Sequence, residues 1–103
     1  QKRFDWALNF LGKSIFGTFL IVDSRNPDYE RAQEMKRELQ AKGIPTIVLA
    51  NFQNKEDALP PETIEQEMGI ETVGCDALNG DGLDEALDKL FEKILSEHSW
   101  YYT

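Results

Sequence analysis

A chain of 103 residues has room for one domain and not for two. Its 41% hydrophobic and 29% charged side chains are those of a folded protein rather than a disordered one. Eleven basic against nineteen acidic residues give a net charge of −8, which disfavours nucleic acid and anionic membrane as partners, since both recruit basic surfaces. No apolar run nears the roughly 18 residues of a spanning helix, so no transmembrane segment is expected. Cys75 is the only cysteine, which excludes an intrachain disulfide. With no signal-peptide pattern at the polar N-terminus, a reducing, cytoplasmic location is expected.

The opening Gln1-Lys2-Arg3-Phe4 has no methionine and reads as the interior of a longer sequence. Phe4, Leu8, Leu11 and Ile15 fall on one stripe of a 3.6-residue period, which predicts a helix over 3–15, broken at Gly17. Thr18–Val22 is a short continuous apolar run, suited to a strand buried on both faces and ending in Asp23. Asn26-Pro27 then offers a helix start, with Asn as cap and Pro at the first helical position. Tyr29, Ala32, Met35 and Leu39 give that helix its stripe, and Gly43 with Pro45 beyond it ends it. Thr46–Ala50 is a second buried strand. Leu59-Pro60-Pro61 opens a short helix that stops at Gly69, and Ile70–Val73 is a third, weaker strand. Asn79-Gly80-Asp81-Gly82 is a turn. Leu83, Ala86, Leu87, Leu90, Phe91, Ile94 and Leu95 then carry the clearest helical period in the chain.

Helices thus alternate with strands, and about 20 residues separate successive strands, which suits a helical crossover and not a hairpin. The predicted fold is α/β: three parallel strands and four helices in three layers. In open sheets of this kind ligands bind at the carboxyl ends of the strands. Here those ends are Asp23-Ser24, Asn51 with the polar loop after it, and Cys75-Asp76-Ala77.

The strand ends carry a family resemblance. Val48-Leu49-Ala50-Asn51-Phe52-Gln53-Asn54 resembles the strand and N-K-x-D motif of small GTPases, especially the Arf-like form A-N-K-Q-D. Asp76-Ala77-Leu78 followed by Asn79-Gly80-Asp81-Gly82-Leu83-Asp84-Glu85 resembles the S-A-[KL] motif and its T-G-x-G-[VIL]-D-E trailer. Gln1-Lys2-Arg3-Phe4 looks like the G-Q-E-R-F segment that comes after D-x-x-G. The Phe after Asn51 and the Lys55-Glu56-Asp57-Ala58 run are closest to the prokaryotic small GTPases of the gliding-motility type.

The resemblance covers about residues 1–95 and leaves 96–103, with Trp100-Tyr101-Tyr102, as an aromatic tail. It implies the C-terminal half, from the switch II helix onward, of a P-loop NTPase-type domain that binds GTP or GDP with Mg2+ and switches partners on hydrolysis. On that reading the P-loop, the switch I threonine and the D-x-x-G aspartate precede Gln1. The chain alone is then expected to be inactive, with no magnesium ligands of its own.

The resemblance also implies roles. Asn51 would tie its loop to its neighbours, and the motif's carboxylate would accept from the guanine ring N–H and exocyclic amine, a donor pair that adenine lacks. Two registers are open. Counting from the strand end puts Asn51, Phe52, Gln53 and Asn54 in the four places, with Phe for Lys and Asn for Asp. Matching letters finds Asn54-Lys55-Glu56-Asp57 three residues later. The position directly after the strand favours the first, leaving Phe52 to stack on the base and Asp57 either to read the base or to cap the next helix. Asn54 is a poorer guanine reader than Asp, having one acceptor and a competing donor. Asp76, Ala77 and Leu78 would offer backbone N–H groups to the guanine carbonyl.

Gln1 matches the glutamine that orients the attacking water, and is the candidate catalytic residue of the intact protein. Trp6 and Phe10, off the main stripe of the first helix, would face a GTPase-activating or effector protein, or else pack inside the domain. Ala7-Leu8-Asn9-Phe10-Leu11-Gly12-Lys13-Ser14 fits a loose Walker pattern. It lacks the preceding strand such a loop needs, and its bulky interior belongs to the helical stripe. Cys75 reads as a small buried side chain rather than a nucleophile. The alternative to a GTPase is an α/β interaction module that kept the fold and lost the nucleotide.

Overall fold

The computed structural model describes residues 17–97. Three strands, β1 (Thr18–Asp23), β2 (Thr46–Asn51) and β3 (Thr72–Gly74), form one parallel sheet in the spatial order β1-β2-β3. Three helices connect and follow them: α1 (Tyr29–Ala41), α2 (Pro61–Met68) and α3 (Leu83–Glu97). In register, Thr18 to Asp23 pair with Thr46 to Asn51, and Val48 to Ala50 with Thr72 to Gly74. The expected three-stranded parallel α/β arrangement is therefore present. The expected first helix over 3–15 and residues 98–103 of the expected tail lie outside the described residues, whereas Ser96 and Glu97, expected in that tail, are the last residues of α3.

Because successive side chains in a strand point to opposite faces, the central strand divides its apolar residues between two cores. Val48 and Ala50 meet Leu20, Val22, Ala32, Ile64 and Met68 on the side of α1 and α2. Ile47 and Leu49 meet Val73, Cys75, Ala86 and Leu90 on the side of α3. Thr46 through Ala50 are all buried, as expected of a strand covered on both faces. β1 departs from that expectation. Leu20 and Val22 are buried, but Ile21, on the α3 side, is 59% exposed. β1 lies at the sheet edge, and among the described residues no helix covers that position.

Helix limits follow local chemistry. α1 is capped by Asp28, whose carboxylate accepts from the Arg31 N–H at 3.2 Å. Asn26 is not the cap: its N–H donates to the Asp23 carbonyl, closing a turn before the helix begins. At the other end Gly43 donates to the Gln40 carbonyl and Ile44 to that of Leu39, the paired bonds of a Schellman motif with Gly43 at φ +70°. Pro60 precedes α2 with no side-chain cap, and Gly69 closes that helix in the left-handed region. Two α1 side chains dock on the last carbonyls of α2, Gln33 on Glu67 at 2.7 Å and Lys36 on Met68 at 2.6 Å. They satisfy acceptors that a helix end leaves free. β3 runs one to two residues later than the apolar run suggests, because Ile70 packs against the α1–α2 core and the Glu65 carboxylate accepts from the Thr72 N–H.

Candidate functional site

The three strands end side by side, and each turns at once into a loop. After β1, Ser24 is fully buried. Its N–H donates to the Asn51 carbonyl at 3.1 Å, and its own carbonyl accepts from the Leu59 N–H at 2.8 Å. After β2, the Gln53 amide reaches back and donates to Ser24 Oγ and to the Leu59 carbonyl, both at 2.9 Å. The Gln53 backbone N–H donates to the Cys75 carbonyl at 3.1 Å. Ser24 and Gln53 thus join all three strand ends. Sequence reasoning missed this joint; the one signal for it was a polar residue shortly after each apolar strand, Ser24 one position beyond β1 and Gln53 two beyond β2.

Asn51 has a comparable role from its side chain. Its amide oxygen accepts from the Ala77 N–H at 3.0 Å and from the Cys75 thiol at 3.6 Å, tying the β2 loop to the β3 loop. Asp76 is 4% exposed and organises the next turn. Its carbonyl accepts from the N–H groups of Asn79, Gly80 and Asp81, and its own N–H donates to the Asp81 carbonyl at 2.9 Å. The Asn79 amide donates to its carboxylate. Gly82, at φ +83°, passes so close to β3 that a Cβ there would overlap the Gly74 carbonyl oxygen.

Of the three backbone donors expected in this loop, two are therefore engaged within the protein. Asp76 N–H is held by Asp81, and Ala77 N–H by Asn51. Leu78 N–H has no partner among the described residues, and the Leu78 side chain is 88% exposed.

Phe52 takes the left-handed conformation, φ +66°, the one non-glycine among the described residues to do so. A Cβ in this region costs about 1–2 kcal/mol. The turn points Gln53 inward and leaves Phe52 half-buried. Over its ring lies the Arg25 guanidinium, 4.1 Å from the centroid. Arg25 is held in turn by Asp23, whose carboxylate accepts from the Arg25 backbone N–H, Nε and a terminal nitrogen at 3.0, 3.1 and 3.0 Å. The fork lowers the Asp23 carboxyl below its ordinary value through these hydrogen bonds, and raises the guanidinium's pKa further, with the charge of Asp57 adding to that of Asp23.

Asn54, Lys55, Glu56 and Asp57 are exposed. Asp57 accepts no side-chain hydrogen bond among the described residues, and α2 begins at Pro61 behind Pro60, so Asp57 is not its cap. A hollow of about 530 Å3 runs beside β3, between the starts of α2 and α3. Gln53 and Asn54 line it, but Phe52, Ala77 and Leu78 do not, and its rim carries Glu62, Asp76, Asp81 and Glu85. Such a rim repels phosphate. The structure thus brings Asn51, Phe52, Asp76, Ala77 and Leu78 together at the adjoining ends of β2 and β3, with Asn54 and Asp57 on the exposed loop beside them. Gln1, Trp6, Phe10 and the Ala7–Ser14 pattern lie outside the described residues.

Cys75 is buried and free. Burial, and then the neighbouring Asp76 charge, push its thiol up from the ordinary value, the opposite of what a nucleophile requires. Among the described residues no three His, Cys, Asp or Glu side chains converge as a metal would need. No helix among the described residues is long and apolar enough to cross a membrane.

No protein-family model matches the chain. It is similar to the human ADP-ribosylation factor-like protein 4D, 32% identical over 95 residues, covering 77% of this chain and 46% of that protein. It is similar also to human ADP-ribosylation factor-like protein 4C, 33% identical over 96 residues and covering 77% and 48%, and to the 4A protein of Rattus norvegicus, 30% identical and covering 77% and 46%. The chain spans about half the length of the curated relatives it matches. Three parallel strands with helices on both faces agree with the C-terminal half of a P-loop NTPase-type domain. By sequence, the chain is similar to the ADP-ribosylation factor-like proteins over about three quarters of its own length.

Proposed function

We propose that this chain is the base-recognising part of a small GTPase of the Arf-like kind, a switch protein that in its intact form binds GTP or GDP with Mg2+ and hydrolyses GTP. The observation that carries the reading is the Asn51 amide, bonded to the Ala77 N–H at 3.0 Å. It joins the two loops whose wording resembles the family's base-binding motifs, and the similarity to Arf-like proteins supports the same assignment. Asn51 fixes the site, Phe52 stacks on the base and Leu78 N–H serves the base carbonyl. Asp76 and Ala77 shape the loop. Asn54 or Asp57 reads the remaining edge.

The phosphates and the magnesium ion would be held by segments the resemblance places upstream, with Gln1 orienting water and the helix carrying Trp6 and Phe10 facing an activating or effector protein. The domain segment runs through α3 to Glu97, with the aromatic tail after it, and the setting is cytoplasmic. The Phe at position 52 and the Lys55-Glu56-Asp57-Ala58 run support kinship with the gliding-motility type. The same Phe, with Asn54 in place of a carboxylate, favours the second reading, an interaction module that no longer binds nucleotide.

Comparing GDP and XDP affinities of the intact protein tests both. If Asn54 reads the base, its amine faces the guanine amine donor to donor, a mispairing worth about 1–3 kcal/mol. Xanthine, with a carbonyl at that point, suits Asn better. Asn54→Asp then tightens GDP and weakens XDP by roughly ten- to hundredfold. If Asp57 reads it, Asn54→Asp does little and Asp57→Ala abolishes the preference for GDP. Absence of binding to either nucleotide by the unmodified protein favours the interaction module.

A further inference from the structure

We infer that Arg25 is a positioning residue of the base site: clamped by Asp23, its guanidinium holds the Phe52 ring from one side and keeps the other side available to a purine base. The inference rests on the base-site reading above and deepens it. Four observations meet at this residue. The guanidinium lies 4.1 Å from the Phe52 ring centroid, well inside the roughly 6 Å range of a cation–π contact. Its orientation is fixed, because Nε and a terminal nitrogen both donate to Asp23 at 3.0–3.1 Å while the Arg25 backbone N–H donates to the same carboxylate. Phe52 itself takes the left-handed backbone conformation, which sets the direction of its Cα–Cβ bond and leaves the ring's rotamer to be held by the Arg25 contact. Asp57, on the loop after β2, adds its negative charge to that of Asp23 at the cation.

Together these turn a half-exposed phenylalanine, which would otherwise rotate among rotamers, into a fixed aromatic plate. A plate already ordered before the ligand arrives spares the ordering cost of binding. A lysine at position 25 would keep the charge but not the planar two-point fork.

The test is a double-mutant cycle on the intact protein, read as GDP affinity. Arg25→Ala should weaken GDP about two- to fivefold, the worth of an exposed cation–π contact. Arg25→Lys should recover part of the loss. In a Phe52→Leu background, which keeps the apolar bulk but removes the ring, the Arg25→Ala penalty should disappear. An arginine that merely braces the end of β1 through Asp23 predicts the same penalty in both backgrounds, and that result overturns the inference while leaving the base-site reading intact. Failure of the unmodified protein to bind GDP or XDP overturns the base-site reading, and this inference with it.

Discussion

Cys75 directly follows β3, with its sulfur 3.6 Å from the Asn51 amide oxygen and almost no surface of its own. Alkylation of this thiol in the native protein, measured with iodoacetamide and peptide mass spectrometry, should be slow at neutral pH and should accelerate only under denaturant. Since burial raises the thiol's folded pKa above its unfolded value, its contribution to stability is fully present below the unfolded value and fades as pH rises through the folded one. Urea midpoints should therefore fall above about pH 9, and Cys75→Ala should flatten that decline. The Tyr29 phenol, also raised by burial and then by Glu67, adds a decline of the same sign at higher pH. That Cys75 is inert is legible from the sequence as a small apolar residue at a strand end. That it touches Asn51 is not, since nothing local relates two positions on neighbouring strands. Arg25 over Phe52 is hidden for the same reason: nothing local relates the two residues until the sheet brings the ends of β1 and β2 together.

At the level of elements, apolar period and Gly/Pro punctuation are informative. β2 and the end of α1 lie where Thr46–Ala50 and Gly43 place them, because a fully buried strand and a left-handed helix end both leave strong local marks. The start of α1 is not at Asn26, since Asn26 and Asp28 are both good caps and only the turn onto Asp23 decides between them. β3 begins later than its apolar run, since Ile70 is apolar for the sake of the helix core and not the sheet. Two glycines separate backbone strain from steric overlap. A Cβ at Gly43 meets nothing within 4 Å, so Gly43→Ala should cost about 1–2 kcal/mol from the left-handed conformation alone. Gly82→Ala adds a collision with the Gly74 carbonyl and should cost distinctly more. Urea denaturation of the two variants beside the parent checks the order; equal losses would mean that the loop beside β3 yields freely.

For the molecule as a whole, the two hydrophobic cores lie on opposite faces of the sheet and share β2. Each residue from Ile47 to Ala50 is thus committed to one helix layer or the other, and with Thr46 all five are buried. The loop after β2 is different in kind: Asn54, Lys55, Glu56 and Asp57 are exposed and owe nothing to either core. Mutational drift should divide along the same line. A library randomised at 54–57 should keep most of its members folded, while one randomised at 46–50 should lose nearly all of them, as sorting by protease resistance would measure. Both candidate base readers, Asn54 and Asp57, sit on the tolerant side of that line. If either reads the base as proposed, a lineage carrying this domain can exchange its base preference one substitution at a time without first acquiring stability to spare.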